Sequence, residues 1–385
     1  MIPYGRQSIT DDDIAAVIEV LQSDFLTQGP AVPAFENAVA AAVGADYAVA
    51  VSSATAALHL ACLALGVGRG SLVWTSPVTF VASANCAIYC GADVDFVDID
   101  RQTYNISVEA LEEKLVLAEK SGTLPDVVIP VHLAGQSCDM EGIAALSERF
   151  GFKVIEDASH AIGADYAGRA VGNCRFSDIT VFSFHPVKII TTGEGGMATT
   201  QDKVLAHTMQ RLRSHGITRD PDLMTHEPDG EWYYQQLELG FNYRMTDIQA
   251  ALGVSQMQRL GEFISRRRAL AERYYGLLSA LPVELPFQSD DGQSSWHLFI
   301  LRLKSDLTGK SQAQIFSELR SAGVGVNLHY IPVHLQPYYA QRGFKHGDFP
   351  QAEKYYSEAI SIPLFHGMTD EQQDDVANIL AEVLI

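Results

Sequence analysis

The chain has 385 residues, of which 47% are apolar and 19% charged, and this length predicts one large domain with a smaller one. The formal net charge of −20 makes nucleic acid a poor partner, because the phosphates of nucleic acid require a basic face. A small anionic substrate is still compatible with the charge, provided that Arg, Lys or backbone N–H groups cluster locally around it.

The cysteines and the N-terminus indicate the compartment. The five cysteines are odd in number and include no C-x-x-C pair, so we expect free thiols in a reducing compartment and no disulfide framework or metal site. The first ten residues have neither the charged nor the apolar region of a signal peptide. No apolar run approaches membrane-spanning length. We therefore expect a cytoplasmic protein that does not associate with membranes.

Helix and strand patterns alternate along the first half of the chain. Thr10 followed by Asp13 is typical of a capping box, and it opens a helical pattern that ends before Leu26–Pro30. The next segments have strand-like patterns at 47–51, 72–75, 94–97, 127–131 and 153–156, and helical patterns at 54–65, 80–90, 108–119 and 140–150. This alternation predicts an α/β fold whose mostly parallel sheet carries helices on both faces. Ligands of such sheets bind at the carboxyl ends of the strands.

The pattern changes near residue 240. Residues 216–240 are polar and contain Pro221 and Pro228. The segment is too long to be a simple loop without a function. A long helical stretch at 246–281 is followed by an apolar run at 297–303, a helix near 312–322 and a closing helix from Asp370. We therefore expect an N-terminal segment and large domain over 1–245, and a connecting helix with a smaller α+β domain over 246–385.

Two residues near predicted strand ends have the chemistry of a pyridoxal phosphate (PLP) site. Asp157 follows the strand-like run at 153–156, and Lys188 follows a second apolar run. In PLP enzymes a lysine holds the cofactor as a Schiff base, and an aspartate pairs with the protonated pyridine nitrogen. At ~4 Å and an effective dielectric of ~20 that pair is worth roughly 4 kcal/mol, enough to keep the ring protonated at neutral pH. Taken singly, a helix cap and a surface lysine are the simpler interpretations.

Small and hydroxyl residues complete the pattern expected of a PLP site. Ser53-Ala-Thr55 precedes an Ala-rich helix whose N-terminus could hold a phosphate, although the motif alone is also typical of an ordinary N-cap. Ser183 could supply a second hydroxyl, and Phe80 could either stack on the pyridine or be a core aromatic. Neither Gly193–Gly196 nor Gly66–Gly70 has the G-x-G-x-x-G spacing, so no dinucleotide site is predicted.

Together these motifs resemble the DegT/StrS-type sugar-nucleotide aminotransferases, a family of the PLP transferase fold type I. The similarity extends over essentially the whole chain and rests on six motifs in order, which are Ser53-Ala-Thr55, Glu156-Asp-Ala-Ser-His160, Phe182-Ser-Phe…Lys188, Thr191-Thr-Gly-Glu-Gly-Gly196, Arg213-Ser-His-Gly216 and Gly240-Phe-Asn-Tyr-Arg-Met-Thr-Asp247. The resemblance implies a large domain with a mostly parallel sheet sandwiched by helices, and a smaller C-terminal α+β domain.

The resemblance also implies roles for individual residues. Lys188 would bind PLP and shuttle a proton between cofactor and substrate, and Asp157 would pair with the pyridine nitrogen. His160, at a position where many relatives have Gln, would lie beside the ring and its 3-hydroxyl. Asn242 would reach the cofactor phosphate from a second subunit, so that the catalytic unit is a homodimer. The remaining cofactor contacts would come from Ala54, Thr55, Phe80 and Ser183.

Four segments, at 1–7, 26–29, 185–188 and 328–336, are most similar to the family members that act in pseudaminic acid biosynthesis. Those enzymes transfer the amino group of L-glutamate to C4 of a UDP-linked 4-keto-6-deoxy-N-acetyl-L-hexosamine. A dTDP- or GDP-linked keto sugar and a non-catalytic regulatory protein of the same fold are the alternatives. Arg244 is a candidate for binding the glutamate carboxylate, and a surface or interface salt bridge is the alternative. The sugar-nucleotide pocket would contain Tyr4, Asp24, Phe25, Leu26, Thr27, His329 and Tyr330.

Overall fold

The structure is a computed structural model that describes residues 1–304 and 306–385 in full, and Ser305 only by its place in a short helix. The helices are α1 (Asp11–Leu21), α2 (Ala31–Val43), α3 (Ala54–Ala64), α4 (Ala82–Tyr89), α5 (Val108–Ser121), α6 (Met140–Phe150), α7 (Lys203–Leu212), α8 (Asp247–Gln258), α9 (Leu260–Leu278), α10 (Ser305–Thr308), α11 (Gln312–Ser321), α12 (Pro337–Ala340), α13 (Pro350–Glu358) and α14 (Asp370–Leu384). The strands are β1 (Tyr47–Val51), β2 (Leu72–Thr75), β3 (Asp93–Phe96), β4 (Val127–Ile129), β5 (Lys153–Asp157), β6 (Asp165–Tyr166), β7 (Arg169–Ala170), β8 (Ile179–Ser183), β9 (Gly196–Thr200), β10 (Ile217–Thr218), β11 (Gln235–Gln236), β12 (Val283–Glu284), β13 (Gly292–Gln293), β14 (Phe299–Leu303) and β15 (Ala359–Ile362).

A seven-stranded sheet of order β1-β9-β8-β5-β4-β2-β3 forms the centre of the first half of the chain. Its strands run parallel except β9, which is antiparallel to both β1 and β8. The predicted mostly parallel sheet is thus confirmed. The parallel strands all end at one edge, where ligands of such sheets bind.

Both faces of the sheet are buried, because alternate residues of each strand point to opposite sides. In β1, Val49 and Val51 pack in one hydrophobic cluster with residues of α3 and α4, whereas Ala48 and Ala50 pack in another with residues of α2. The strands near the other edge of the sheet bury a third cluster with α5 and α6. Helices therefore cover both faces, as the alternation of patterns predicts.

The helix α1 begins as the sequence predicts. Thr10 is its N-cap, and the backbone N–H and hydroxyl of Thr10 both donate to Asp13 Oδ2, at 2.9 and 3.3 Å. Asp13 is fully buried and also accepts from Ser255 Oγ at 2.6 Å and from the guanidinium of Arg259 at 2.6 Å. This buried carboxylate joins α1 to α8.

The stretch at 246–281, expected to be one helix, consists of α8 and α9. The break lies at Arg259, which has φ −103° and ψ 7° and binds the carbonyl of Ser8 as well as Asp13. On one side of the break α8 packs against α1 and α2, and on the other α9 enters a separate hydrophobic cluster. That cluster includes residues of α11, α14 and the antiparallel sheet β12-β14-β15.

The first residues of the chain pair with the second half. The Ile2 N–H donates to the Gly323 carbonyl at 2.8 Å, and the Gly325 N–H donates to the Ile2 carbonyl at 2.7 Å. Two residues later the Tyr4 carbonyl accepts from the Leu364 N–H at 3.1 Å. These bonds set the position of the Tyr4 side chain.

The five cysteines of the structure are free thiols, four of them buried and Cys90 half-buried. Of the described helices, none is long and apolar enough to cross a bilayer.

Candidate active site

A cavity of about 750 Å³ lies at the carboxyl edge of the central sheet. Its walls come from the segments that follow β1, β2, β5 and β8, and from the more distant residues 327–330. Of the residues singled out from the sequence, the cavity brings together Tyr4, Ala54, Thr55, Phe80, Asp157, His160, Ser183, Lys188, His329 and Tyr330. The parallel topology explains this, because strand ends distant in sequence meet at one edge.

Asp157 is the last residue of β5, and three donors orient its carboxylate. Oδ2 accepts from the Ser83 hydroxyl of α4 at 2.6 Å. Oδ1 accepts from the Ser159 hydroxyl at 2.5 Å and from the Ser159 N–H at 3.1 Å. Asp157 is 5% exposed and lines the cavity, so its carboxylate is fixed in a pocket from which bulk water is largely excluded.

Lys188 follows β8 in a tight turn, in which its N–H donates to the His185 carbonyl at 2.9 Å. Burial lowers the pKa of the Lys188 amine to about 8, although the negative charge of Asp157 acts in the opposite direction. A lysine whose pKa is lowered by burial has a larger fraction of free amine near neutral pH, and free amine is the nucleophile that attacks carbonyl groups.

The N-terminus of α3 forms one wall of the cavity. Ser53 is the N-cap, and its hydroxyl accepts from the Ala56 N–H at 3.2 Å. Gly196 lets β9 run directly against this turn, since a Cβ there would lie 2.5 Å from the Ala54 nitrogen. The hydroxyls of Thr55 and Ser183 line the same wall. Free N–H groups, a positive helix end and two hydroxyls suit a phosphate.

Several residues that border the cavity were not identified as site residues from the sequence, among them Thr79, Ser159, His297 and Asn327. The ring of His297 lies 4.5 Å from that of His160 between centroids. His297 is 4% exposed, and its Nδ1 has no hydrogen-bond partner among the described residues. In the sequence His297 belongs to an apolar run, which indicates core packing, so only the fold shows that it reaches the cavity.

The family model described as the DegT/DnrJ/EryC1/StrS aminotransferase family matches residues 7–381. The chain belongs to this family. It is a PLP-dependent sugar aminotransferase, and the alternative of a non-catalytic regulatory protein is set aside.

Individual relatives of the family cover the whole chain. The chain is 40% identical to the spore coat polysaccharide biosynthesis protein SpsC of Bacillus subtilis. The alignment covers 100% of this chain and 97% of SpsC. The putative sugar aminotransferase Spr1654 from Streptococcus pneumoniae in its PMP form has a TM-score of 0.89 at 30% identity, covering 100% of both chains. Helicobacter pylori PseC, an aminotransferase of pseudaminic acid biosynthesis, has a TM-score of 0.90 at 28% identity, covering 100% of this chain and 99% of its own.

The cavity of this DegT-family chain fits PLP, because an oriented carboxylate, a lysine of lowered pKa and an anion cradle surround one space. Bound PLP supplies an electron sink for amino transfer. We propose that Lys188 holds the cofactor and moves a proton, that Asp157 faces the ring nitrogen, and that Ala54, Thr55 and Ser183 bind the phosphate. Phe80, 57% exposed at the cavity, offers a ring face for stacking.

Two groups of expected site residues lie elsewhere in the described chain. Asp24, Phe25, Leu26 and Thr27 are exposed and approach residues 246–247 instead, through a bridge between Thr27 and Thr246. Asn242 is exposed and bridges to Ser214. Neither group lines the cavity of its own chain. Their roles remain predictions that need a second subunit, as proposed below.

Proposed function

We propose that the enzyme transfers the amino group of L-glutamate to C4 of a UDP-linked 4-keto-6-deoxy-N-acetyl-L-hexosamine, a step of pseudaminic acid biosynthesis. The observation that carries the proposal is the position of Tyr4, His329 and Tyr330. These residues belong to the segments that resemble pseudaminic acid enzymes, and they share one cavity with Lys188. The structural likeness to PseC supports the same substrate.

A homodimer with shared sites is part of the proposal. The described residues that line the cavity include no arginine, although a nucleotide diphosphate needs cationic partners. Arg244 forms no ion pair with a described carboxylate and lies two residues from the exposed Asn242. We infer that Asn242 and Arg244 enter the cavity of a second subunit, where Asn242 contacts the phosphate and Arg244 an anionic substrate group.

Exposed apolar side chains next to Asn242 support the dimer. In the segment of residues 217–241, which carries β10 and β11, Trp232 is 74% exposed and Leu239 is 80% exposed. Tyr234 and Leu237 are also exposed. Large apolar side chains clustered on one segment are typical of an interaction surface.

We propose that the enzyme is located in the cytoplasm. The free thiols are consistent with this reducing compartment.

The test is a half-reaction. The enzyme is converted by L-glutamate to the aminated form of the cofactor, freed of glutamate, and offered UDP-, dTDP- and GDP-linked 4-keto sugars in turn. We expect the visible absorption of the lysine-bound cofactor to return fastest with the UDP-linked acetamido sugar. Lys188→Ala is the control, because without this amine the absorption cannot return. No return with the UDP sugar and a fast return with another would overturn the substrate assignment.

The second candidate substrate is a dTDP- or GDP-linked keto sugar. The likeness to PseC does not decide between the candidates, because Spr1654, a putative sugar aminotransferase, is about as similar, with a TM-score of 0.89 against 0.90 and an identity of 30% against 28%. The same half-reaction distinguishes the candidates. The sugar aminotransferase assignment holds in either case.

A further inference from the structure

His160 lies between two polar groups from different parts of the chain. Its Nδ1 is 3.2 Å from the backbone nitrogen of Ala134, which follows β4. Its Nε2 is 3.0 Å from the hydroxyl of Tyr330, which belongs to the second half of the chain. His160 is 5% exposed, and both His160 and Tyr330 line the cavity. The imidazole therefore joins two walls of the active site.

The backbone contact fixes the protonation of the ring. A peptide N–H can only donate, so the Ala134 amide requires Nδ1 of His160 to be an acceptor without a proton. The neutral imidazole must then carry its proton on Nε2, from which it donates to the oxygen of Tyr330. Protonation of Nδ1 would set two donors against each other and break the Ala134 contact.

The charges around His160 also oppose protonation. Burial lowers the pKa of His160 well below its usual value, and Lys188 and His329, whenever they are protonated, lower it further. The ring of His297, with its centroid 4.5 Å away and its plane tilted by 43°, adds no negative charge. Two carboxylates line the same cavity: that of Asp157, whose oxygens bind Ser83 and Ser159, and that of the exposed Glu194. The ring is thus neutral throughout the usual titration range of histidine.

This arrangement decides what Tyr330 can do. Burial raises the pKa of Tyr330, and the charge of Asp157 raises it further, so the phenol keeps its proton. Its oxygen already accepts from His160, and among the described residues no oxygen or nitrogen accepts the Tyr330 proton. The proton is therefore available to a ligand in the cavity that both side chains line.

We propose that His160 is a positioning residue, a permanently neutral Nε2–H donor that holds the Tyr330 hydroxyl as a hydrogen-bond donor to an oxygen of the bound keto sugar. This inference rests on the proposed function, in which the sugar occupies the same cavity. It assigns His160 an action through Tyr330 and excludes a role for His160 as a general base, because its only unprotonated nitrogen is occupied by the Ala134 amide.

The first experiment needs no substrate. Ring-¹⁵N-histidine labelling of the PLP-loaded enzyme, with His160→Gln to identify the resonance that disappears, reports the tautomer directly. We expect a neutral ring with the proton on Nε2 that does not titrate between about pH 5.5 and about pH 8.5, the range in which histidine normally changes charge. A ring that titrates in this range, or that carries its proton on Nδ1, would overturn the inference whatever the substrate is.

The second experiment is a double-mutant cycle on the sugar half-reaction, using the keto sugar that the enzyme accepts fastest. We expect His160→Ala and Tyr330→Phe each to lower the rate constant about tenfold, and the double variant to lose no more than about twofold beyond either. Glutamine can accept from Ala134 and donate to Tyr330, so His160→Gln should recover most of what His160→Ala loses. Additive losses would show that His160 does not act through Tyr330.

The matched control is Tyr339→Phe, which removes another buried phenol that donates to Asn85 Oδ1 at 2.6 Å outside the cavity. Its effect should add to that of His160→Ala, because the two sites share no partner. Losses from Tyr330→Phe that are equal in the glutamate and sugar half-reactions would place the acceptor oxygen on the cofactor and overturn the sugar contact.

Discussion

At the scale of the residue, the pKa of Lys188 predicts how the cofactor-free enzyme responds to pH. The free amine reacts with aldehydes and the ammonium does not, so the rate at which visible absorption develops with added PLP should rise through about pH 8 and then level off. An amine with the ordinary pKa of 10.5 would keep gaining rate above pH 9 to about 10.5. An inflection there would show that burial does not act on Lys188 as inferred.

The same pKa affects stability without cofactor. Between about pH 8 and the ordinary value of 10.5 the unfolded chain keeps the Lys188 proton and the folded chain releases it. The contribution of this group to the free energy of unfolding therefore rises with pH across that window. Binding PLP through this amine should remove the effect.

A second residue-scale prediction concerns Asp157→Asn. The amide preserves the size of the side chain. It removes the negative charge that would keep the ring nitrogen protonated. From the ~4 kcal/mol estimated for such a pair, we expect about a thousandfold lower turnover with PLP still bound. The control is Ser83→Ala, which leaves the charge and removes one of the donors to Asp157 and should cost much less. Turnover within about tenfold of the unmodified enzyme for Asp157→Asn would mean that another group protonates the ring.

At the scale of the element, the buried carboxylate of Asp13 docks α1 onto α8. Asp13→Ala leaves Arg259, Ser255 and Thr10 without their shared acceptor. Removing one partner of a buried ion pair typically costs 3–5 kcal/mol, so we expect the free energy of unfolding in urea to fall by about 3 kcal/mol. Asp12→Ala, on the exposed face of the same turn, should cost less than about 1 kcal/mol. Equal losses would show that the buried network contributes nothing specific.

Most elements of the central sheet were predictable from the sequence, because strands buried on both faces are short apolar runs between helical patterns. The bounds of β1, β2 and α6 agree with the sequence prediction, and those of α3, α4, α5, β3, β4 and β5 differ from it by one or two residues at one or both ends. The helix α2 was not predicted. This helix follows Leu26–Pro30 and contains Pro33. Pro33 does not break the helix, because it lies in the first turn, where its missing N–H would have no partner within the helix.

The break between α8 and α9 could not be read from the sequence, since the apolar spacing continues through Arg259. Its cause is tertiary: Arg259 binds Asp13 and Ser8, more than 240 residues away. The cofactor residues predicted from strand ends do gather in one cavity, because parallel topology alone brings strand ends together. His297 was not predicted as a site residue, because it begins an apolar run and nothing in the neighbouring sequence indicates that this end of the run borders a cavity.

At the scale of the whole molecule, we propose that the two-domain division at residues 245–246 lies at the connecting pair α8–α9, and that two chains share their active sites. Mixing Lys188→Ala with Asn242→Ala subunits should restore part of the lost turnover after subunit exchange, because one hybrid site keeps both residues. Each variant mixed with itself is the control. A mixture no more active than either parent would show that Asn242 acts within its own chain.

The pairing of the first residues with late ones also orders events during synthesis of the chain. Ile2 bonds to Gly323 and Gly325, and the carbonyl of Tyr4 accepts from Leu364. The ribosome makes Tyr4 long before these partners, which lie more than 300 residues further along the chain. The wall of the cavity that Tyr4 provides cannot form on the nascent chain until they have been made, so a cofactor molecule arriving earlier would meet an open cleft that still lacks part of its substrate-facing side.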